Sequence, residues 1–300
     1  MKHLFLDSND RLRNGWWVAI FIALMFASRF VYTPASRALQ DLGVTQDWLE
    51  PLRFGLLLLV TWICVRLRKD KLSSVGFVLN ARWARELGIG LAFGIASALL
   101  AVAMIWLAGG VRFELDPARS VSILLYGVYF HAFVALFEET LFRGFAFQRF
   151  VDGAGPWIAQ IVLGLVFATS HWGNPDMDGI TLIIATVELF LGAVILGLAY
   201  LRTRSLALPI GLHFGWNWLH GYGLGLGVSG VEHAGWLRPL LQDVPTWVNG
   251  GRFGPEASVF AIVTDLAAIV LLWKWKGLSP RPSAQNRPGP APETRAPAAI

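Results

Sequence analysis

Residues 137–144 read FEETLFRG and follow the apolar run VSILLYGVYFHAFVALF, so two adjacent carboxylates and an arginine stand where charge is costly. On a helix Glu139 and Arg143 are i and i+4 and can pair on one face, which neutralises both. Glu138 points about 100° away from its neighbour. It is left free to serve as a general base, so the doublet divides into one structural and one chemical glutamate. Further along, His171 closes the run IVLGLVFATSH, with Phe167 one turn before it, and could pair with Glu138 to position a water. His213 and Asn217, in HFGWN, are again i and i+4, and imidazole and carboxamide can both donate hydrogen bonds, the equipment of an oxyanion hole. By ligand type alone, Glu138, His171 and His213 are equally a zinc set.

The remaining ionisable residues in apolar runs have structural readings. Glu188, in TLIIATVELFLG, has no opposite charge one turn away and either borders a cavity or makes a helix contact. His131 and His220 share faces with Glu138 and His213 and are expected to pack. Arg29 is expected to extend its guanidinium toward the membrane interface. Cys64, the single cysteine, sits in LLLLVTWICV as a packing hydrophobe; one thiol excludes an internal disulfide and a multi-thiolate metal site.

What positions these groups must be a membrane bundle. The 300-residue chain is 55% hydrophobic and 15% charged, with mean hydropathy +0.54, against about 25% charged in soluble domains. Apolar runs at 15–33, 51–67, 86–109, 120–146, 155–171, 180–201, 205–222 and 257–274 predict an all-α polytopic membrane helix bundle of about eight transmembrane helices. The second, fifth and seventh runs are short and require burial among neighbours. Basic residues gather at Lys2, Arg11 and Arg13, at 66–85, at Arg202 and Arg204, and at Lys274 and Lys276. The intervening segments carry Asp41, Asp47, Glu50, Glu114, Asp116, Asp176 and Asp178. With even parity all basic clusters share one side, which places both termini in the cytoplasm and the chain in the cell membrane. This dispersal explains the net charge of +5 without nucleic acid. No cleavable signal is read at the N-terminus. The Gly- and Trp-rich segment 223–256 reads as interfacial, through Trp236 and Trp247. Residues 1–276 are expected to form one integral-membrane domain with a motif-bearing core at 120–222, and the Pro/Ala-rich tail 277–300 is expected to be disordered.

Glu138-Glu139-xxx-Arg143, Phe167-xxx-His171 and His213-xxx-Asn217, in this order on successive apolar runs, resemble the CPBP family of intramembrane proteases, which includes the type II CAAX prenyl endopeptidases. The stretch LGLAYLRTRSLALPIGLHFGWN, residues 196–217, resembles the family's approach to its last motif. The resemblance covers roughly residues 120–222. It implies an eight-helix core with a cavity open toward the membrane, in which Glu138 and His171 activate water, His213 and Asn217 stabilise the oxyanion, and Glu139 and Arg143 support the site. It further implies a substrate that is a lipidated or membrane-anchored protein or peptide, and a glutamate-dependent reaction without a metal. A zinc metalloprotease using Glu138, His171 and His213 is the alternative. Two other classes stand beside it: a non-enzymatic immunity or scaffold protein, and a transporter relaying protons through Glu138, Glu139 and Glu188. The transporter lacks support from inverted repeats.

Overall fold

The computed structural model describes residues 5–6 and 11–275, and the expectations for Lys2, Lys276 and the tail 277–300 lie outside them. The architecture is an all-α bundle with one small sheet. Five long helical elements come first or carry the core: α1 Asn14–Asp41, α2 Glu50–Leu67, α3 Ala81–Leu107, α4 Val121–Arg143 and α7 Gly179–Thr203. Shorter ones are α5 Phe145–Ala154, α6 Pro156–Ser170, α8 Ala207–Trp218, α9 Thr246–Asn249 and α10 Val259–Lys274. Starts follow local chemistry. Asn80, Ser120 and Ser258 accept backbone N–H groups at the heads of α3, α4 and α10. Pro51 and Pro156 occupy first turns, where no amide donor is needed.

Among the described residues, five segments are long and apolar enough to cross a bilayer: Asn14–Asp41, Gln46–Leu67, Ala81–Leu107, Val121–Ala154 and Gly179–Thr203. The other three expected spans fall on α6, α8 and α10, of 15, 12 and 16 residues, short of the ~20 that a hydrocarbon core requires. The protein is thus a multi-pass membrane bundle in which some apolar helices are packed among longer ones. Rows of outward-facing Ile, Leu, Val and Phe on α1, α6, α7 and α10, such as Phe26, Ile161, Ile183 and Val270, suit lipid.

The run expected at 120–146 is divided between two helices, because α4 breaks at Gly144 and α5 follows to Ala154. A Cβ there would lie 2.2 Å from the Thr140 carbonyl oxygen, so only glycine allows the chain to turn into α5. The most extensive helix contact joins α3 to α8. It is built from reciprocal glycines: Cβ atoms at Gly90 and Gly94 would meet the Leu208 and Leu212 carbonyls at 2.2 and 2.1 Å. Those at Gly211 and Gly215 would meet Leu87 and Leu91 at 2.2 and 2.6 Å. Small residues one turn apart let two backbones touch where lipid supplies no hydrophobic drive. Segment 223–256 is ordered. Strand β2, Leu237–Leu241, pairs antiparallel with β1, Val111–Leu115, and Glu114 faces Arg238 in register and binds it. The sheet carries the preceding loop back over the bundle.

Candidate active site

α4 delivers Glu138, Glu139 and Arg143 at its C-terminal end, as the helical spacing requires. Glu139 is fully buried, and its Oε1 accepts from Arg143 Nη1 at 3.0 Å and from His213 Nδ1 at 2.9 Å. Arg143 Nη2 donates to the Ala193 carbonyl at 3.0 Å, tying α4 to α7. Glu139 therefore holds two partners, the arginine expected and a histidine from α8. Glu138 faces another way: its side chain is 24% exposed, and its Oε2 lies 3.8 Å from His213 Nε2.

His171 sits at the C-terminal cap of α6, where Nδ1 is 2.8 Å from the Phe167 carbonyl. A carbonyl only accepts, so Nδ1 carries the proton and Nε2 presents a lone pair. No direct hydrogen bond joins His171 to Glu138. The same reasoning applies to His213, whose Nδ1–H is committed to Glu139. Its Nε2 faces Glu138 and donates only when the ring carries both protons. Asn217 lies one turn on, buried on the same helix.

Glu138, His171, His213 and Asn217 line one cavity of about 530 Å³. Glu188 borders it, the first of its two sequence readings, and is itself buried. His131 lines it too, buried with neither ring nitrogen hydrogen-bonded, packed against Tyr222 and His233. His220 packs against Trp216, its Nε2 3.4 Å from the Ala98 carbonyl, as expected. Among the described residues no three His, Cys, Asp or Glu side chains are grouped so as to hold a metal ion. Glu138, His171 and His213 share the cavity without forming the ligand set that their types allowed.

Several lining groups escaped the sequence reading. Asp265 on α10 faces the cavity, and its signal was present as a lone carboxylate in VFAIVTDLAAIVLL. Ser229, His233 and Glu256 come from segment 223–256, where no periodicity marks a face. Glu256 accepts from the Ser229 amide and hydroxyl, while Asn174 donates to the Ser229 carbonyl at 2.7 Å. Burial pushes the Glu256 carboxyl above the usual carboxylate range, and the two Ser229 donors pull it part of the way back. Burial pushes His233 down to about 4, so it is neutral at pH 7.

The segment that carries all three motifs matches a known family. Residues 118–219 are similar to the Rce1-like type II CAAX prenyl endopeptidases. The match runs from the start of α4 to the end of α8, so the Rce1-like segment contains Glu138, His171, His213 and Asn217 and leaves out α1–α3, segment 223–256 and α10. It agrees with the CPBP resemblance read from the motifs. No curated protein and no solved structure matches the chain.

Proposed function

We propose that the protein is an intramembrane endopeptidase that hydrolyses a peptide bond near the membrane surface in a lipidated or membrane-anchored protein or peptide. One observation carries the reading: a carboxylate, two imidazoles and a carboxamide from three helices line a single cavity inside an apolar bundle. Glu138 and the Nε2 lone pair of His171 are the bases available to take a proton from water as it attacks the carbonyl. Doubly protonated His213 and the Asn217 amide are the donors available where negative charge develops. Arg143 and Glu139 hold the His213 ring so that Nε2 keeps its aim. Fixed donors in a site screened from bulk water stabilise an oxyanion more than solvent does. The proposal is metal-free, because these groups supply base and donors, and a zinc enzyme using Glu138, His171 and His213 is the alternative.

The route for substrate also has a shape. An apolar groove of about 340 Å³ between α1, α2 and α4, lined by Phe21, Phe26 and Leu56 among others, shares Arg53, Phe137 and Leu141 with the cavity wall. A lipid chain or apolar segment lying there would bring its attached peptide to Glu138. The proposal extends to a cell-membrane location with both termini in the cytoplasm.

The test compares terminal peptides of membrane proteins from cells carrying wild-type protein and Glu138→Gln. The endopeptidase reading expects new termini that require Glu138. Identical terminal profiles, with the variant complementing fully, would favour an immunity or scaffold protein instead.

A further inference from the structure

Besides Glu138, His171, His213 and Asn217, the cavity is lined by a second acidic group. Glu188 from α7, Asp265 from α10 and Glu256 from the turn Pro255–Ala257 all line it, and each is 4% exposed. They lie within electrostatic reach of one another. Gly192, one helical turn after Glu188, presents no side chain, and a Cβ there would reach within 3.9 Å of Asp265 Oδ2. Asp265 Oδ2 is buried without a hydrogen-bond partner. Glu256 uses Oε2 for Ser229.

No lysine or arginine among the described lining residues pairs with this group. Arg53 is the one Lys or Arg side chain among the described lining residues, and it is paired with Glu50 at 2.7 Å and stacked over Phe137. His171 and His213 act on Glu256 only through space, and their Nδ1 atoms are engaged with the Phe167 carbonyl and with Glu139. Unpaired carboxylates in a bundle interior are costly, and helix packing alone is served as well by apolar side chains. The three are not grouped to hold a metal ion, yet all three border the cavity of about 530 Å³, which has room for a side chain.

We propose that Glu188, Glu256 and Asp265 form a subsite for an organic cation of the substrate, a lysine or arginine side chain near the scissile bond. The subsite deepens the endopeptidase reading and rests on it for its connection to turnover. It makes the cavity select a basic residue beside a lipid or apolar anchor, in place of an all-apolar peptide.

The experiment uses purified full-length protein and lipid-anchored fluorogenic peptides in which one lysine is walked through the positions flanking the cleaved bond. Each peptide is compared with its norleucine isostere. The subsite predicts one position at which lysine raises kcat/KM at least tenfold over norleucine, and a ratio near one in Glu188→Gln/Asp265→Asn. A ratio near one at every position in wild type, or a preference that survives in the double variant, would overturn it. A second reading needs neither turnover nor a variant: n-hexylammonium should raise the wild-type Tm more than 1-hexanol at equal concentration. Equal shifts would overturn the subsite, because neutral acids sharing protons among themselves have no preference for a cation. Failure to cut any peptide, with the hexylammonium shift intact, would reject the endopeptidase reading and leave the cation site standing.

Discussion

Glu139 is the residue on which the site's geometry turns, because one oxygen joins Arg143 on its own helix to His213 on α8. Arg143→Ala breaks a buried ion pair, leaving Glu139 with His213 as its remaining partner, and should cost about 3–5 kcal/mol, read as a lowered Tm and poor yield. Asn217→Ala removes only a donor. It should slow turnover by roughly 10²–10³ with Tm unchanged, as purified-protein kinetics would show. His233 gives a pH prediction. Its value of about 4 in the fold lies below the ordinary ~6.5. The unfolded chain therefore takes up the proton first, and stability is complete above about pH 6.5 and lost toward pH 4. Glu256, shifted upward, acts with the opposite sign, so the contrast between proteins isolates the imidazole: Tm should fall less from pH 7 to pH 5 in His233→Gln than in wild type. Legibility at this scale followed partner spacing. Glu139 with Arg143 and His213 with Asn217 were visible because i, i+4 partners flagged them. Asp265, alone in an apolar run as Glu188 is, carried the same signal and was passed over. The tie between Glu139 and His213 joins residues 74 positions apart, which no local pattern encodes.

Helix existence was readable from apolar runs, whereas helix ends and pairings were not. The break at Gly144 is set by the Thr140 carbonyl, a contact invisible until the chain has turned. The α3–α8 crossing was latent in two glycine pairs one turn apart, Gly90 with Gly94 and Gly211 with Gly215, but the sequence does not say that these pairs face each other. This crossing positions α8, and hence His213 and Asn217. Gly94→Val or Gly211→Val should force the backbones apart and abolish monodisperse protein on size exclusion. Gly88→Ala, on the same helix α3 with nothing within 4 Å of its Cβ, should be tolerated. Equal behaviour of the two sites would mean that the glycine contact does not hold the helices together. Segment 223–256 shows the reverse limitation. Its Trp content suggested an interfacial segment, but its ladder to β1 and its delivery of Ser229, His233 and Glu256 depend on long-range pairing.

For the whole molecule, the class was legible from composition, because 15% charge cannot clothe a soluble surface of this size. The number of crossings was less so, since α6, α8 and α10 are apolar yet short. Loop charges still predict orientation. In a Cys64→Ala background, Ser74→Cys should react with an impermeant maleimide only from the cytoplasmic side, and Ala118→Cys only from the opposite side. Reversed labelling would overturn the cytoplasmic placement of both termini. Function at this scale comes from enclosure: a bundle that keeps lipid outside and a polar cavity inside lets ionisable groups persist at membrane depth.

The most direct test of the account is single-turnover hydrolysis, by purified protein in liposomes, of a peptide spanning a cleavage site found by the terminal-peptide comparison. With Glu138→Gln the rate should fall on the order of 10²–10⁴-fold while Tm is unchanged. A variant that cleaves at close to the wild-type rate would contradict the role given to Glu138 and the cavity chemistry built on it.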